Sequence, residues 1–351
     1  MNLDDLDAMQ QLDKSQMIDE INGLPDQLLV ALKASEEYSL PEWDGFENIL
    51  IAGMGGSAIA GDLLSAYLAP ICPLPIFVHR DYGLPAWVSA TKTLVICCSH
   101  SGNTEETLSG FEAAKALGCR VAAITTGGNL ALAATTVGYP VWSFQHAGQP
   151  RSAVGFGFVY LISILTRLKL VPDPTQDICN TAALLKVEQE KYLPKSPVAR
   201  NLAKRQAGQM VDRNVVLIGS GLLAPVGRRW KGQINELAKA AANFDILPEA
   251  DHNSLAGTLY PMDQLDRTLT LFLRCPADQP ANRKRADLTK KAYMLAGIAT
   301  DNYTAPAGSA MGQQWAAIHY GDYVAYYLAM SYQVDPTPVD PIQNFKKELQ
   351  A

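Results

Sequence analysis

Ser99, Ser101 and Thr104 crowd around Gly102 in the stretch Ser99-His100-Ser101-Gly102-Asn103-Thr104, where an apolar run over 93–98 gives way to helical spacing from Asn103 to Leu117. A strand-to-helix junction of this kind exposes free backbone N–H groups at the positive end of a helix, which suits an anion. The three hydroxyls add neutral donors, and glycine lets the backbone turn toward a ligand. Plain helix capping by Ser101 or Asn103, with Glu105 and Glu106 in the first turn, accounts for one such side chain and not for three. The surplus points to a phosphate cradle. A second turn, Gly53-Met54-Gly55-Gly56-Ser57, follows the apolar run 48–53 and faces the same crevice if the two runs are strands of an open parallel sheet. As G-x-G-x-x-A it also matches a dinucleotide fingerprint, with Asp81 as ribose ligand. That cofactor reading uses only one anion loop, and here there are two.

Spacing alone assigns no chemistry to Arg151 after Pro150, to Glu236 in Gln233-Ile234-Asn235-Glu236, to His252 in Pro248-Glu249-Ala250-Asp251-His252-Asn253, or to Lys346 near the C-terminus. From spacing alone each has an ordinary reading. Glu236 lies among Arg228, Arg229, Lys231 and Lys239 and fits a solvated ion pair. His252 fits a loop or capping residue, Arg151 a helix start, and Lys346 a charged terminal face. The histidines at 79, 100, 146 and 319 read as structural, with His100 set apart because it sits between Ser99 and Ser101, where its backbone can serve the cradle.

The elements that position these residues follow from periodicity. Runs at 48–53, 75–80, 93–98, 120–125 and 140–145 read as strands buried on both faces, with helical spacing between them. Alternation of this kind predicts a parallel sheet covered by helices. A helical stretch over 152–205, broken at Pro172, Pro174, Pro194 and Pro197, precedes strand-like runs at 214–219, 243–247 and 268–273, and helices follow near 311–333 and after Pro341. Gly53, Gly55, Ala58 and Gly61 recur as Gly219, Gly221, Ala224 and Gly227, each displaced by 166 positions and each time after an apolar run. The repeat predicts two similar α/β lobes.

The chain has 351 residues, 48% apolar and 18% charged, with 29 Lys and Arg against 35 Asp and Glu. This is the composition of a folded two-lobed protein, with no basic stripe for nucleic acid and no run long enough for a bilayer span. Six cysteines, at 72, 97, 98, 119, 179 and 275, form no CxxC pair and no zinc-spaced cluster, and they read as small buried hydrophobes in a reducing compartment. The acidic N-terminus lacks the basic start and apolar run of a signal peptide. We therefore expect a cytoplasmic protein with no cofactor, no metal, no nucleic-acid partner and no membrane partner.

The motifs taken together resemble a known family. SHSGNTEET after a buried strand, preceded by GMGGSAIAG, is similar to the sugar isomerase (SIS) domain, a doubly wound fold that binds phosphosugars. QPRSA at 149–153, QINE at 233–236, PEADHN at 248–253 and the C-terminal DPTPV leading into IQNFK resemble, in the same order, the bifunctional phosphoglucose/phosphomannose isomerase family. The chain departs from that pattern at Asp251 and Ser254, where Asn and Glu are expected, and Lys347 directly follows Lys346.

The resemblance implies two doubly wound parallel-sheet lobes of the SIS type, each a flavodoxin-like three-layer sandwich. We expect an N-terminal helical segment at 1–45, a first lobe at 46–190 and a second at 191–351 with C-terminal helices. It implies interconversion of glucose 6-phosphate, and mannose 6-phosphate too, with fructose 6-phosphate through a metal-free enediol. Glu236 would move the proton between C1 and C2, Arg151 would stabilise the enediolate, and His252 and Lys346 would assist ring opening. Gly55, Gly56, Ser57, Ser99, Ser101 and Thr104 would hold the 6-phosphate. It also implies a homodimer in which His252 is supplied across the interface. The competing readings are an isomerase for a different sugar phosphate and a phosphosugar sensor without turnover, although the acidic N-terminus offers no basic helix-turn-helix.

Overall fold

The computed structural model describes residues 2–349. The chain divides into two compact units. The first comprises Gly23–Leu184 and Gly308–Gln314; the second comprises the residues before Gly23, those from Leu185 to Ala307 and those from Trp315 onward. The N-terminal 45 residues are thus shared between the units.

Helices α1 (Leu6–Leu12) and α2 (Met17–Asn22) belong to the second unit, and α3 (Leu24–Ser35) opens the first. There follow β1 (Asn48–Gly53), α4 (Gly55–Leu68), β2 (Ile76–His79), β3 (Thr93–Ser99), α5 (Glu105–Leu117), β4 (Arg120–Thr125), α6 (Gly128–Thr136) and β5 (Val141–Ser143). A 3-10 turn at Pro150–Ser152 leads into α7 (Val154–Arg167) and α8 (Thr175–Gln189). The five strands are all parallel, in the order β2-β1-β3-β4-β5.

Alternation along the strands explains their double burial. Leu50, Ala52, Val95, Cys97, Val121 and Ala123 form one face, packed under Phe111 and Ala114 of α5 and Leu130 and Ala134 of α6. On the other face α4 comes so close that a Cβ on Gly61 would lie 3.1 Å from Ile51 and 3.2 Å from Val78. This is the doubly wound arrangement, and the order reverses between β1 and β3, where such folds open a crevice at the carboxyl ends of their strands.

The second unit continues with α9 (Leu202–Met210), β6 (Asn214–Ser220), α10 (Ala224–Leu237), β7 (Ala242–Leu247), α11 (Met262–Asp266) and β8 (Thr268–Arg274). Then come α12 (Pro280–Leu295), β9 (Ala299–Thr304), α13 (Ala310–Tyr332) and α14 (Asp340–Leu349). Its sheet is parallel too, in the order β7-β6-β8-β9. Of the nine strands among the described residues, eight lie on the runs read from the sequence, with β5 shortened to three residues. The ninth, Ala-Thr-Asp-Asn-Tyr-Thr, shows no apolar run because it is an edge strand paired only with β8, and the preceding α12 is too polar to announce itself. Among the described residues no helix is long and apolar enough to cross a membrane.

Within the second unit, α10 is bolted to α13 by a buried polar group. The Arg229 guanidinium donates to Asp322 Oδ2 at 2.6 Å and the Gln233 amide to Asp322 Oδ1 at 2.8 Å. Removing the carboxylate takes this ion pair from a buried cation, a loss of about 3–5 kcal/mol. Asp322→Ala should therefore lower the urea midpoint sharply, and the double change Arg229→Met with Asp322→Leu should recover most of it. A single variant as stable as the parent would show that the guanidinium is not desolvated. Trp230 lies beside this group and donates from Nε1 to Ala317 O at 2.9 Å. Its indole sits so flat on α13 that a Cβ at Gly321 would fall 2.1 Å from Nε1.

His319 is the core histidine that its isolated position suggests. It is buried, its Nε2 donates to Ile21 O at 2.8 Å, and burial holds its pKa down at about 4. The unfolded chain, with an ordinary value of about 6.5, binds more protons than the folded one between these limits, so stability falls as pH drops from about 6.5 to about 4. The full effect is about 3 kcal/mol. His319→Gln should flatten the dependence of unfolding free energy on pH across that window; an unchanged slope would assign the acid sensitivity to other groups.

Candidate active site

A small cavity in the first unit is lined by Gly56 and Ser57 of the first glycine turn, His100 of the second, and Pro150 of the turn that carries Arg151. Met54 is extended (φ −127°, ψ 157°) and Gly55 turns the chain at φ +50° into α4. At Gly56 a Cβ would meet Pro150 O at 2.7 Å and Arg151 N at 3.2 Å, so the start of α4 abuts the 3-10 turn that carries Arg151. Only glycine permits that approach. Ser57 Oγ accepts from the His100 backbone N–H at 3.2 Å, which ties the first loop to the second.

In the second loop the helix cap is Thr104, not Ser101 or Asn103, and its side chain makes no capping bond. Thr104 Oγ1 accepts instead from the Ser99 hydroxyl at 3.0 Å, so the cap hydroxyl is turned away from its own helix. Gly102, at φ +68°, lies against the β4–α6 turn, where a Cβ would fall 1.9 Å from Gly127 O. The same turn grips His100, whose carbonyl accepts from Thr126 N at 3.0 Å and Thr126 Oγ1 at 2.7 Å. Both loops are thereby fixed by backbone contacts before any ligand arrives.

Arg151 is 4% exposed. Its turn is held by a residue that the sequence did not single out: Gln27 of α3 donates from Nε2 to Ser152 O at 2.8 Å and accepts at Oε1 from Gly155 N at 2.7 Å. A separation of more than 120 positions left no local signal of this clamp. His100 and His146, read as separate structural residues, are in contact, with Nε2 of one 3.0 Å from Nδ1 of the other.

The second unit repeats the first turn but not its chemistry. Ser220 (φ −135°, ψ 156°) and Gly221 (φ +46°) reproduce Met54 and Gly55 nearly angle for angle. Where the first unit offers hydroxyls, the second has Asp278, 7% exposed, its Oδ1 3.7 Å from where a Gly221 Cβ would lie. Burial pushes this carboxyl above the ordinary carboxylate range.

The three remaining candidates sit on separate elements of the second unit. Glu236 is half-buried in the last turn of α10. Lys239 donates from Nζ to the Glu236 and Leu237 carbonyls at 2.7 and 3.2 Å, and Asn235 donates to Ala240 O at 2.8 Å, so the helix end is firmly finished. Of the other nearby cations, Arg229 bonds Asp322 and Arg228 lies over the Phe244 ring.

His252 ends the 3-10 turn Glu249–His252 after β7 and is exposed. The unexpected Asp251 beside it is an anchor, accepting from Arg285 at 2.9 Å and Thr289 Oγ1 at 2.6 Å, both on α12. Ser254, the other departure, donates to Asp245 on β7. These two side chains hold the histidine turn to the sheet and to the covering helix.

Lys346 lies on α14, whose residues are all exposed. Ile342, Phe345 and Leu349 line one side of this helix, and at 100° per residue Lys346 flanks that side while Lys347 points away from it.

Residues 46–137 match the SIS domain model and residues 199–349 the bacterial phospho-glucose isomerase C-terminal SIS domain model. A bifunctional phosphoglucose/phosphomannose isomerase of Caldicellulosiruptor bescii is 36% identical over 335 residues, covering 95% of this chain and 98% of the relative. One of the same name from Aquifex aeolicus is 33% identical, over 89% of this chain and 95% of its own. Among solved structures, the C-terminal domain of a glucosamine-fructose-6-phosphate aminotransferase from Francisella tularensis superimposes with a TM-score of 0.71 at 16% identity, covering 92% of this chain and 98% of that one, a likeness of fold. With two SIS-type parallel sheets and relatives that align along almost its full length, this chain belongs to the bifunctional phosphoglucose/phosphomannose isomerase family.

Proposed function

We propose that the protein is an aldose–ketose isomerase that interconverts glucose 6-phosphate and mannose 6-phosphate with fructose 6-phosphate through a metal-free enediol. The observation that carries this reading is the crevice loop in which Thr104 caps α5 in position but gives its hydroxyl to Ser99, beside the turn that bears Arg151. The phosphate sits on Ser57, Ser99, Ser101 and Thr104 and on the N–H groups that open α4 and α5, with Gly55 and Gly56 allowing close approach.

His252 and Lys346 open the ring: an acid protonates the ring oxygen while a base takes the anomeric hydroxyl proton, and an imidazole serves in either state near neutral pH. Glu236 then removes the proton from C2 of the aldose, electrons move into the C1–C2 bond, and O1 becomes an enediolate oxygen. Arg151, always charged and planar, spans both enediolate oxygens. Return of a proton from Glu236 to C1, with the O2 proton passing to O1 as C2 becomes the carbonyl, completes the ketose. Loss of the C2 proton erases the difference between glucose and mannose epimers, so one enediol serves both.

Lys346, on the flank of the apolar side of α14, is the active lysine in preference to Lys347. The working form is a homodimer in which His252 reaches the site of the neighbouring subunit; its exposure, and that of Leu259, Tyr260 and Met262 further along the chain, supports this. The enzyme acts in the cytoplasm, at the hexose phosphate step common to glycolysis and gluconeogenesis.

Coupled assays of the purified protein in EDTA, reading fructose 6-phosphate made from glucose 6-phosphate and separately from mannose 6-phosphate, test the proposal. Turnover of both supports it. Turnover of glucose 6-phosphate alone would restrict the pocket at C2, and phosphosugar binding without turnover would replace the enzyme with a sensor or with an isomerase of another sugar phosphate.

A further inference from the structure

The two loops assigned to the phosphate contain, apart from His100, only neutral donors: backbone N–H groups and the hydroxyls of Ser57, Ser99, Ser101 and Thr104. A sugar phosphate is mostly a dianion above its second pKa of about 6. His100 is the one side chain in those loops able to carry a positive charge, and it does not stand alone. Its Nε2 lies 3.0 Å from Nδ1 of His146, with the ring planes at 89°.

A hydrogen bond between two imidazoles needs one nitrogen with a proton and one without. Such a pair accepts one extra proton without losing the bond and a second only by breaking it. The backbone of His100 is pinned to Ser57 on one side and Thr126 on the other, so the ring cannot follow the loop away from the crevice. Phe144 and Phe156 stack beside the two rings and limit their hydration.

Titratable groups stand on the elements next to the pair. From the 3-10 turn comes Arg151, next to Pro150, which lines the same small cavity as His100. From β3 comes Cys98 and from α7 Tyr160, both kept neutral as burial pushes their pKa values up. The first turn of α4 supplies none, and that of α5 supplies Glu105 and Glu106. Arg151 thus follows directly on a residue of the cavity that His100 lines.

We propose that the His100–His146 pair takes up one proton when a phosphosugar binds, and so supplies the positive charge that the phosphate loops otherwise lack. The inference rests on the phosphate-cradle reading of these loops. It makes His146 a binding-site residue acting through His100, and it makes phosphosugar affinity dependent on pH beyond the titration of the phosphate itself.

The test is calorimetry with sorbitol 6-phosphate, a hexose phosphate with no carbonyl to isomerise, at pH 7.5 in two non-phosphate buffers of different ionisation enthalpy. The buffer dependence of the heat counts protons. We expect the wild-type protein to take up at least about half a proton per ligand, and His146→Asn, which can keep a hydrogen bond to His100 but does not titrate, to take up almost none. The same variant should weaken binding about tenfold at pH 6.5 and by less than about threefold at pH 8.5, the difference being the charge it no longer supplies. Equal uptake by wild type and variant, or none by wild type, overturns the proposal while leaving the cradle intact. Binding of sorbitol 6-phosphate no tighter than that of sorbitol overturns the cradle itself. Should the variant fold poorly, imidazole 15N shifts of the wild-type protein, followed as ligand is added at pH 7.5, give the same answer: movement of the His100 and His146 signals toward imidazolium supports the uptake, and static signals reject it.

Discussion

Glu236→Gln should bind fructose 6-phosphate within about twofold of the wild-type affinity and lose about 10³–10⁴-fold in turnover, the upper range for removing a positioned general base. The amide keeps the shape of the side chain, and the helix end is held by bonds that the substitution leaves in place. Lys239 and Asn235 finish the helix through backbone carbonyls, and Gln233 and Arg229 hold α10 through Asp322. None of these bonds requires the Glu236 carboxylate. A second readout separates chemistry from folding: in D2O the wild-type protein should exchange the C1 or C2 hydrogen of the substrate with solvent, and the variant should not. Turnover near normal would remove Glu236 from the mechanism, and loss of binding together with turnover would make it a structural residue.

Arg151→Lys should cost about 10²–10³-fold in kcat with little change in KM, the penalty typical of removing a donor aimed at a developing oxyanion. Charge is retained, so a simple electrostatic role would survive the change. An ammonium is a point charge, however, and cannot span two enediolate oxygens as a planar guanidinium can. The buried setting sharpens the contrast. At 4% exposure, in a turn clamped by Gln27, the position has no room for a lysine to seek a second geometry. Wild-type kcat in Arg151→Lys would argue against the clamp.

Much of this was legible in the residues because parallel strands buried on both faces announce themselves as apolar runs, and eight such runs lie on strands of the fold. The glycine repeat displaced by 166 positions marked two turns that share their backbone angles. What escaped was whatever depends on contact between distant segments or on exposure. Strand β9 is polar because it lies at a sheet edge. The clamp of Gln27 on the Arg151 turn spans more than 120 residues, and the His100–His146 contact spans 46. The capping of α5 was misplaced for a different reason: Ser, Asn and Thr all cap helices well, and only the fold decides that Thr104 takes the position while spending its hydroxyl on Ser99. Asp251 and Ser254, which break the family pattern, acquire a rationale only through their partners on α12 and β7.

The matching turns at Gly55 and Gly221 separate two properties that are usually inherited together, the shape of a binding loop and its charge. A protein engineer who wanted a second phosphate site on this scaffold would find the backbone already bent for it in the second lobe. The work would lie in subtraction: Asp278 is a resident acid at the mouth of that turn, and while it stays, any incoming anion meets its own kind.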